Sequence, residues 1–170
     1  SRNPVIVHVA SLELARNCVK VWPEEASQLS AVFWPGPLTM VLPKSAVIPD
    51  IVTAGGATVG IRWPSHPFVQ ALIQRCGFPL AAPSANPSGT LSPTNASHVA
   101  RALGGHIPLI IDGGQAQVGI ESTVVDLSSG TVTVLRPGII GIPALEAALG
   151  RAIRHGTGTE SGQELRSPGL

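Results

Sequence analysis

Residues whose types and spacing could do chemistry gather between positions 82 and 94. Ala82-Pro83-Ser84-Ala85-Asn86-Pro87-Ser88-Gly89, followed by Ser92-Pro93-Thr94, is a hydroxyl-rich loop of small residues between an apolar run and a helical pattern. Ser92 stands as an N-cap with Pro93 at the first helical position, which would leave backbone N–H groups pointing outward. Hydroxyls beside a helix N-terminus make an anion site, typically for phosphate. The plainer alternative is a capped loop that satisfies its own backbone. Arg62 and Arg136 share another context. Each ends an apolar β-rich run, and each is followed closely by proline, in Arg62-Trp63-Pro64 and Arg136-Pro137. Guanidinium forks at strand ends suit carboxylate or phosphate oxygens; the alternative is a surface salt bridge.

Other candidates carry plainer readings beside the chemical ones. Asp112 and Glu121 flank a loop and could hold a hydrated magnesium ion, or could cap turns. Ser122 starts a strand and faces either a cleft or the core. His8 lies in an apolar strand, where a lone histidine is more often a satisfied core side chain than a ligand. His66, His98, His106 and His155 show no i,i+4 pair and no zinc-type spacing. A thiol nucleophile at Cys18 or Cys76 is a poor reading, since neither sits in a recognisable thiol-activating motif. No Gly-x-Ser-x-Gly elbow, Walker loop or dinucleotide fingerprint is present.

These residues need elements to position them. A β-branched strand over Pro4–Val9 precedes a helix starting at Ser11. Pro23-Glu24-Glu25 opens a second helix, with acids complementing its dipole, and Trp34-Pro35-Gly36-Pro37 stops it. Strands follow at Leu38–Leu42 and Thr58–Arg62, separated by a loop-like stretch over 43–56. A helix opens at His66-Pro67-Phe68 and closes at Gly77. Pro79–Ala82 is a short strand, 83–93 a long loop, and Thr94–Leu103 a helix closed by Gly104-Gly105. Leu109–Ile111 reads as a strand before the Asp112-Gly113-Gly114 turn. Residues 123–127 and 131–135 form a hairpin around Ser128-Ser129-Gly130, and Ile142–Leu149 is a last helix. Residues 1–154 form one domain, and 155–170 are a polar linker or tail. Mixed strands and helices without strict alternation point to an α+β or mixed α/β sheet. No internal repeat is visible.

The 170 residues are enough for one domain with its own core. Hydrophobic residues make up 44% and the mean hydropathy is +0.30, so disorder is not the default. Eleven basic and ten acidic side chains, a net charge of +1, exclude a strongly basic nucleic-acid coat and an acidic tail, while leaving room for a local basic pocket. Nineteen glycines and sixteen prolines imply many short elements joined by structured turns. Two cysteines exclude a disulfide scaffold and fit reduced cytoplasmic thiols. No apolar run approaches the roughly 18 residues of a membrane span, and the N-terminus does not resemble a signal peptide. Aromatic content of 4% with no tyrosine makes a base-stacking platform a poor reading; Trp22, Trp34 and Trp63 read as core and cleft-wall residues.

In combination, NPVIVHVAS (3–11), FWPGPLTMVL (33–42), VGIRWPSHP (59–67), PLAAPSANPSGTLSPTNASHV (79–99), DGG (112–114), GIESTVVDL (119–127) and VLRPGII (134–140) resemble the threonylcarbamoyl-AMP synthase family and its YrdC-like fold, in order and spacing. The resemblance implies an α/β architecture, a twisted open mixed sheet with flanking helices around a large positively lined cavity. It implies that L-threonine, bicarbonate or carbon dioxide, and ATP give threonylcarbamoyl-AMP and pyrophosphate, with Mg2+ accompanying the ATP. A downstream threonylcarbamoyl transferase would carry the group to adenosine 37 of tRNA. Carried over by position, Asn3, Thr58, Ser84, Ser92 and Arg136 would hold ATP, and His8, Arg62, Ala82 and Ser122 would hold L-threonine. Arg62 and Arg136 would act by positioning, with no covalent intermediate and no protein metal ligand assigned. The hydroxyls and guanidinium groups are expected to converge on one hollow. The family's Pro-Thr-Glu-Thr-x-Tyr-Gly-Leu and Lys-x-Arg-Pro blocks, which precede the segment matching Asn3-Pro4, are not in this chain. The resemblance thus reads the chain as lacking an N-terminal part and ending at an interdomain linker. The alternatives are a module binding tRNA or double-stranded RNA, and a carbamoyl-adenylate-forming domain without threonine specificity.

Overall fold

A computed structural model describes residues 3–87, 90–116 and 121–155. Ser88, Gly89, Gly119 and Ile120 of the motifs above, and the tail over 156–170, lie outside the described residues. The chain divides into two compact units, one formed by residues 1–82 with 122–170 and the other by 83–121.

The first unit is built on a seven-stranded mixed sheet in the order β4-β1-β3-β2-β5-β6-β7. The strands are β1 (Val7–His8), β2 (Leu38–Pro43), β3 (Thr58–Arg62), β4 (Leu80–Ala81), β5 (Thr123–Asp126), β6 (Thr133–Arg136) and β7 (Arg154–His155). β1 runs parallel to β3 and antiparallel to β4, while β2 runs antiparallel to β3 and parallel to β5. β6 is antiparallel to β5 and parallel to β7. The central strands are apolar on both faces, as a sheet covered on both sides requires. Leu38, Met40, Val41, Leu42, Val59, Ile61, Val124 and Val125 are all buried.

The helices over this sheet start and stop where their sequences dictate. In α1 (Leu12–Asn17), Ser11 Oγ accepts the Leu14 N–H at 3.1 Å, a side-chain N-cap. α2 (Glu24–Phe33) carries both expected acids in its first turn, although Pro23 is the N-cap residue rather than lying inside the helix. α4 (Pro67–Cys76) has its proline at the first helical positions and ends at Gly77, whose φ of +73° suits glycine. α6 (Ile142–Leu149) buries Leu145 and Leu149.

Several expected elements differ. The first strand shortens to Val7–His8, and the 43–56 stretch contains one helical turn, α3 (Asp50–Thr53). There Lys44 pairs with Asp50 and also donates to Thr53 Oγ1 at 3.2 Å. A short strand not expected from the sequence follows the last helix, where Arg154–His155 pair with Thr133–Val134.

The second unit holds α5 (Ala96–Leu103), a parallel bridge between Gly104 and Ile107, and the Ala116 N–H bonded to Thr94 O at 2.7 Å. Leu109–Ile111 is not assigned as a strand: Leu109 and Ile111 are exposed, Leu109 by 70%, and no ladder to this segment occurs among the described residues. An apolar triplet at the surface can leave its backbone groups to water, so its composition alone does not make it a strand. Among the described residues no helix is long and apolar enough to cross a membrane.

Candidate functional site

Strand directions bring several expected residues to one end of the first unit's sheet. β1 and β3 finish there, with His8 and Arg62 as direct register partners. β4 starts there, with Leu80 opposite His8, and the Ala82 N–H donates to Ile6 O at 3.1 Å. β2 and β5 start there together, Leu38 opposite Thr123, with Ser122 just outside. β6 ends there at Arg136, opposite Val124. A register shift between Val124 and Val125 marks a β-bulge in this pair, a device that re-aims side chains at sheet ends. Asp126 lies at the far end of β5. The end carrying two arginines is thus free of the strand's own carboxylate.

Each arginine is steered by backbone. Arg62 Nε donates to Gly36 O at 3.1 Å, and the Gly36 N–H donates to Trp63 O at 2.8 Å. Gly36 fits because a Cβ would lie 2.3 Å from Phe33 O. Trp34 anchors the same turn from the buried side, its Nε1 donating to Leu38 O at 2.8 Å; the Trp34–Pro35 peptide is cis. The Phe33–Thr39 block is therefore the mould that aims Arg62. Arg136 donates from Nε and NH2 to Ser122 O at 3.2 and 3.1 Å, and from NH2 to Ser122 Oγ at 3.1 Å. Ser122 Oγ lies 2.9 Å from Thr39 Oγ1.

His8 corrects the expectation of a satisfied core histidine. Its Nδ1 is buried without a hydrogen-bond partner, and Trp63 Nε1, next to Arg62, is in the same condition. Burial is the main cause, and the charge of Arg62 the second, that pushes the His8 pKa down to about 4; the nearby carbonyls of Leu80 and Ile6 oppose the shift only in part. At neutral pH the imidazole is uncharged. Cys18 is pushed the other way, to about 11, by burial, so it is a poor nucleophile.

The remaining expected residues are placed differently. Thr58 opens β3 opposite Pro43, at the other end of that strand from Arg62, a separation of about 13 Å at ~3.3 Å per residue. Asn3 is exposed at the start of the described chain. Ser84 and Ser92 belong to the second unit. Ser92 is not an N-cap. Asn95 caps α5 instead, accepting the His98 N–H at 2.9 Å, because the chain turns helical three residues later than the Ser-Pro-Thr pattern predicts. Ser92 Oγ donates to Glu121 Oε1 at 2.8 Å. Asp112 accepts the Gly114 N–H at 2.9 Å, capping its own turn. No group of three His, Cys, Asp or Glu that could hold a metal ion occurs among the described residues.

A hollow of about 560 Å3 within the second unit is lined by Asn86, Leu91, Ser92, Thr94, His98 and others. Asn86 spends its Nδ2 on Pro87 O and on Thr90 O and Oγ1, while its Oδ1 is buried and unpartnered. A buried acceptor in that state favours a ligand bearing an N–H or O–H donor. Sequence reasoning passed over Thr39, Gly36 and Asn86. For Thr39 a signal existed, a lone hydroxyl inside an apolar strand.

Comparison with known proteins adds relatives to this geometry. A family model for Sua5, YciO and YrdC, described as telomere recombination, matches residues 1–138. The chain is 48% identical over 153 residues to threonylcarbamoyl-AMP synthase of Pyrococcus abyssi, a match covering 90% of this chain and 45% of that protein. It is 47% identical over 151 residues to the Bacillus subtilis enzyme of the same name, covering 88% of this chain and 44% of the relative. The crystal structure of P. abyssi Sua5 complexed with L-threonine superposes with a TM-score of 0.93 at 45% identity, over 99% of this chain and 50% of that one. Escherichia coli YciO, at 24% identity and a TM-score of 0.75, supports the fold alone. This chain thus spans less than half the length of the two curated relatives. With the family model running through β6 and the fold superposing on P. abyssi Sua5, the chain belongs to the Sua5/YciO/YrdC family.

Proposed function

We propose that this chain carries the adenylate-forming core of a cytoplasmic L-threonylcarbamoyl-AMP synthase. Register carries the reading: it sets neutral His8 opposite Arg62 and ties Ser122 to Arg136 at the same sheet end. Arg62 would fork the carboxylate of L-threonine, with its guanidinium aimed by Gly36 O. Neutral His8 would accept a hydrogen bond from the substrate's nitrogen without competing for the carboxylate. The Ala82 backbone and Ser122 hydroxyl would complete this pocket. Asn3, Thr58, Ser84, Ser92 and Arg136 would bind ATP.

The chemistry then proceeds by positioning. The neutral amine of threonine adds to carbon dioxide, giving a carbamate and a proton; where the carbon comes as bicarbonate, the hydroxide it loses takes up that proton as water. A carbamate oxygen attacks the α-phosphorus of ATP, and the bond to the bridging oxygen breaks as pyrophosphate leaves. Two fixed guanidinium groups offset carboxylate and phosphate charge in the transition state, where preorganised charge is most effective. Magnesium would enter on the triphosphate, which needs few protein ligands, and would neutralise phosphate charge. The product would pass to a threonylcarbamoyl transferase acting on adenosine 37 of tRNA.

Pyrophosphate release dependent on both L-threonine and bicarbonate tests the reading. It is measured on this chain and on a chimera that takes the flanking segments from a relative. The chimera is expected to release pyrophosphate only with both substrates. A folded chimera that releases none overturns the assignment. Release with carbamoyl phosphate in place of threonine and bicarbonate identifies instead a carbamoyl-adenylate-forming domain. Salt-sensitive tRNA binding without release identifies an RNA-binding module.

A further inference from the structure

We infer that Thr39 is a positioning residue that fixes the polarity of the Ser122 hydroxyl, so that Ser122 donates its hydrogen to an acceptor oxygen of the bound amino acid. This inference rests on the proposed function above. It follows from a proton inventory. Thr39 is 0% exposed and Ser122 4%. Their hydroxyl oxygens are 2.9 Å apart, and either could be the donor. Among the described residues Thr39 Oγ1 has no other partner, and the remaining bond to Ser122 Oγ comes from Arg136 NH2 at 3.1 Å. A guanidinium can only donate, so Ser122 Oγ must accept from it.

The two hydroxyls hold two hydrogens and share one bond, so one hydrogen is left over. Were Ser122 to donate to Thr39, the surplus hydrogen would sit on a fully buried oxygen with no acceptor, at the full cost of an unmade buried bond. With Thr39 donating, both lone pairs of Ser122 are filled, by Thr39 and by Arg136. Its hydrogen is then the surplus one, at the end of the sheet where Arg62 and His8 also stand. The Arg136 bonds to Ser122 O fix the backbone from which this hydroxyl projects. A serine with both lone pairs occupied is a directed donor, and it discriminates in favour of a ligand oxygen over a ligand N–H.

The test uses the chimera active in pyrophosphate release, with Thr39→Val, Thr39→Ala and Thr39→Ser. Thr39→Val and Thr39→Ala are expected to raise KM for L-threonine about tenfold. KM for ATP and kcat are expected to change less than threefold. Thr39→Ser, which keeps the hydroxyl, is expected to stay within threefold of wild type for every constant. A purely structural role would lower the melting temperature and shift both substrates alike. If Thr39→Val does not fold, Thr39→Ala against Thr39→Ser carries the comparison. An unchanged KM for L-threonine in a folded hydroxyl-less variant overturns the inference alone. So does an equal rise in KM for ATP. A wild-type chimera that takes no L-threonine overturns the proposed function, and this inference falls with it.

Discussion

His8 is the residue whose chemistry most depends on where the sheet puts it. Its pKa falls from 6.5 to about 4, through burial first and the charge of Arg62 second. The unfolded chain therefore binds the proton more readily than the folded one. Stability from this group is complete above pH 6.5 and is lost as pH falls toward 4, with a slope of at most about 1.4 kcal/mol per pH unit. Urea unfolding at pH 7, 5.5 and 4.5 should show this acid-side loss in wild type and a flatter profile in His8→Gln. An identical loss in the variant would assign the effect to other groups. Arg62→Lys keeps the charge but not the fork, and its ammonium cannot both meet Gly36 O and pair with both carboxylate oxygens. On the proposed function, L-threonine binding followed by calorimetry is expected to weaken at least tenfold, with the melting temperature within a few degrees of wild type. Both arginines were legible in the sequence from their place at strand ends before proline. The unpartnered Nδ1 of His8 was not, because an apolar strand gives no sign in sequence of which ring nitrogen finds a partner.

At the scale of elements, the turn over Trp34–Leu38 has a narrow tolerance. A methyl at Gly36 would collide with Phe33 O at 2.3 Å, and the same turn orients Arg62. Gly36→Ala is expected to destabilise by roughly 2 kcal/mol or more, read by urea midpoint, and to weaken L-threonine binding as the guanidinium loses its guide. α5 offers a cleaner contrast. Asn95 is its cap and Ser92 is not. Asn95→Ala should cost about 1 kcal/mol of local stability, and Ser92→Ala much less. Amide exchange in α5 distinguishes the two. Ser-Pro-Thr satisfied every local rule for a helix start, yet Asn95 also satisfied one, and local rules do not rank adjacent candidates. The helix begins where the chain geometry lets the cap oxygen reach the third N–H, and Ser92 is held by Glu121 instead.

For the whole molecule, burial is unequally shared between the two units. Most residues of β2, β3 and β5 are buried, whereas α5 has no buried residue and Leu91, Leu109 and Ile111 are exposed. Amide exchange should accordingly be slowest in β2, β3 and β5 and faster by orders of magnitude over 94–116. Equal protection in the two regions would contradict this distribution of the core. The exposed Phe68, Leu72 and Phe78 on and after α4 are ordinary for a surface only when scattered singly. The sequence by itself determined most of the element types, the apolar strands that became the core, the place of both arginines at strand ends and the family, because periodicity and motif spacing are local and additive along the chain. Only the tertiary structure decided which strand ends face the same way, that Thr39 meets Ser122 across 83 positions of sequence, that His8 lies opposite Arg62, and that Leu109–Ile111 finds no partner strand. Those facts depend on register and strand order, which are set by how separate segments share one sheet, and no single segment contains that information.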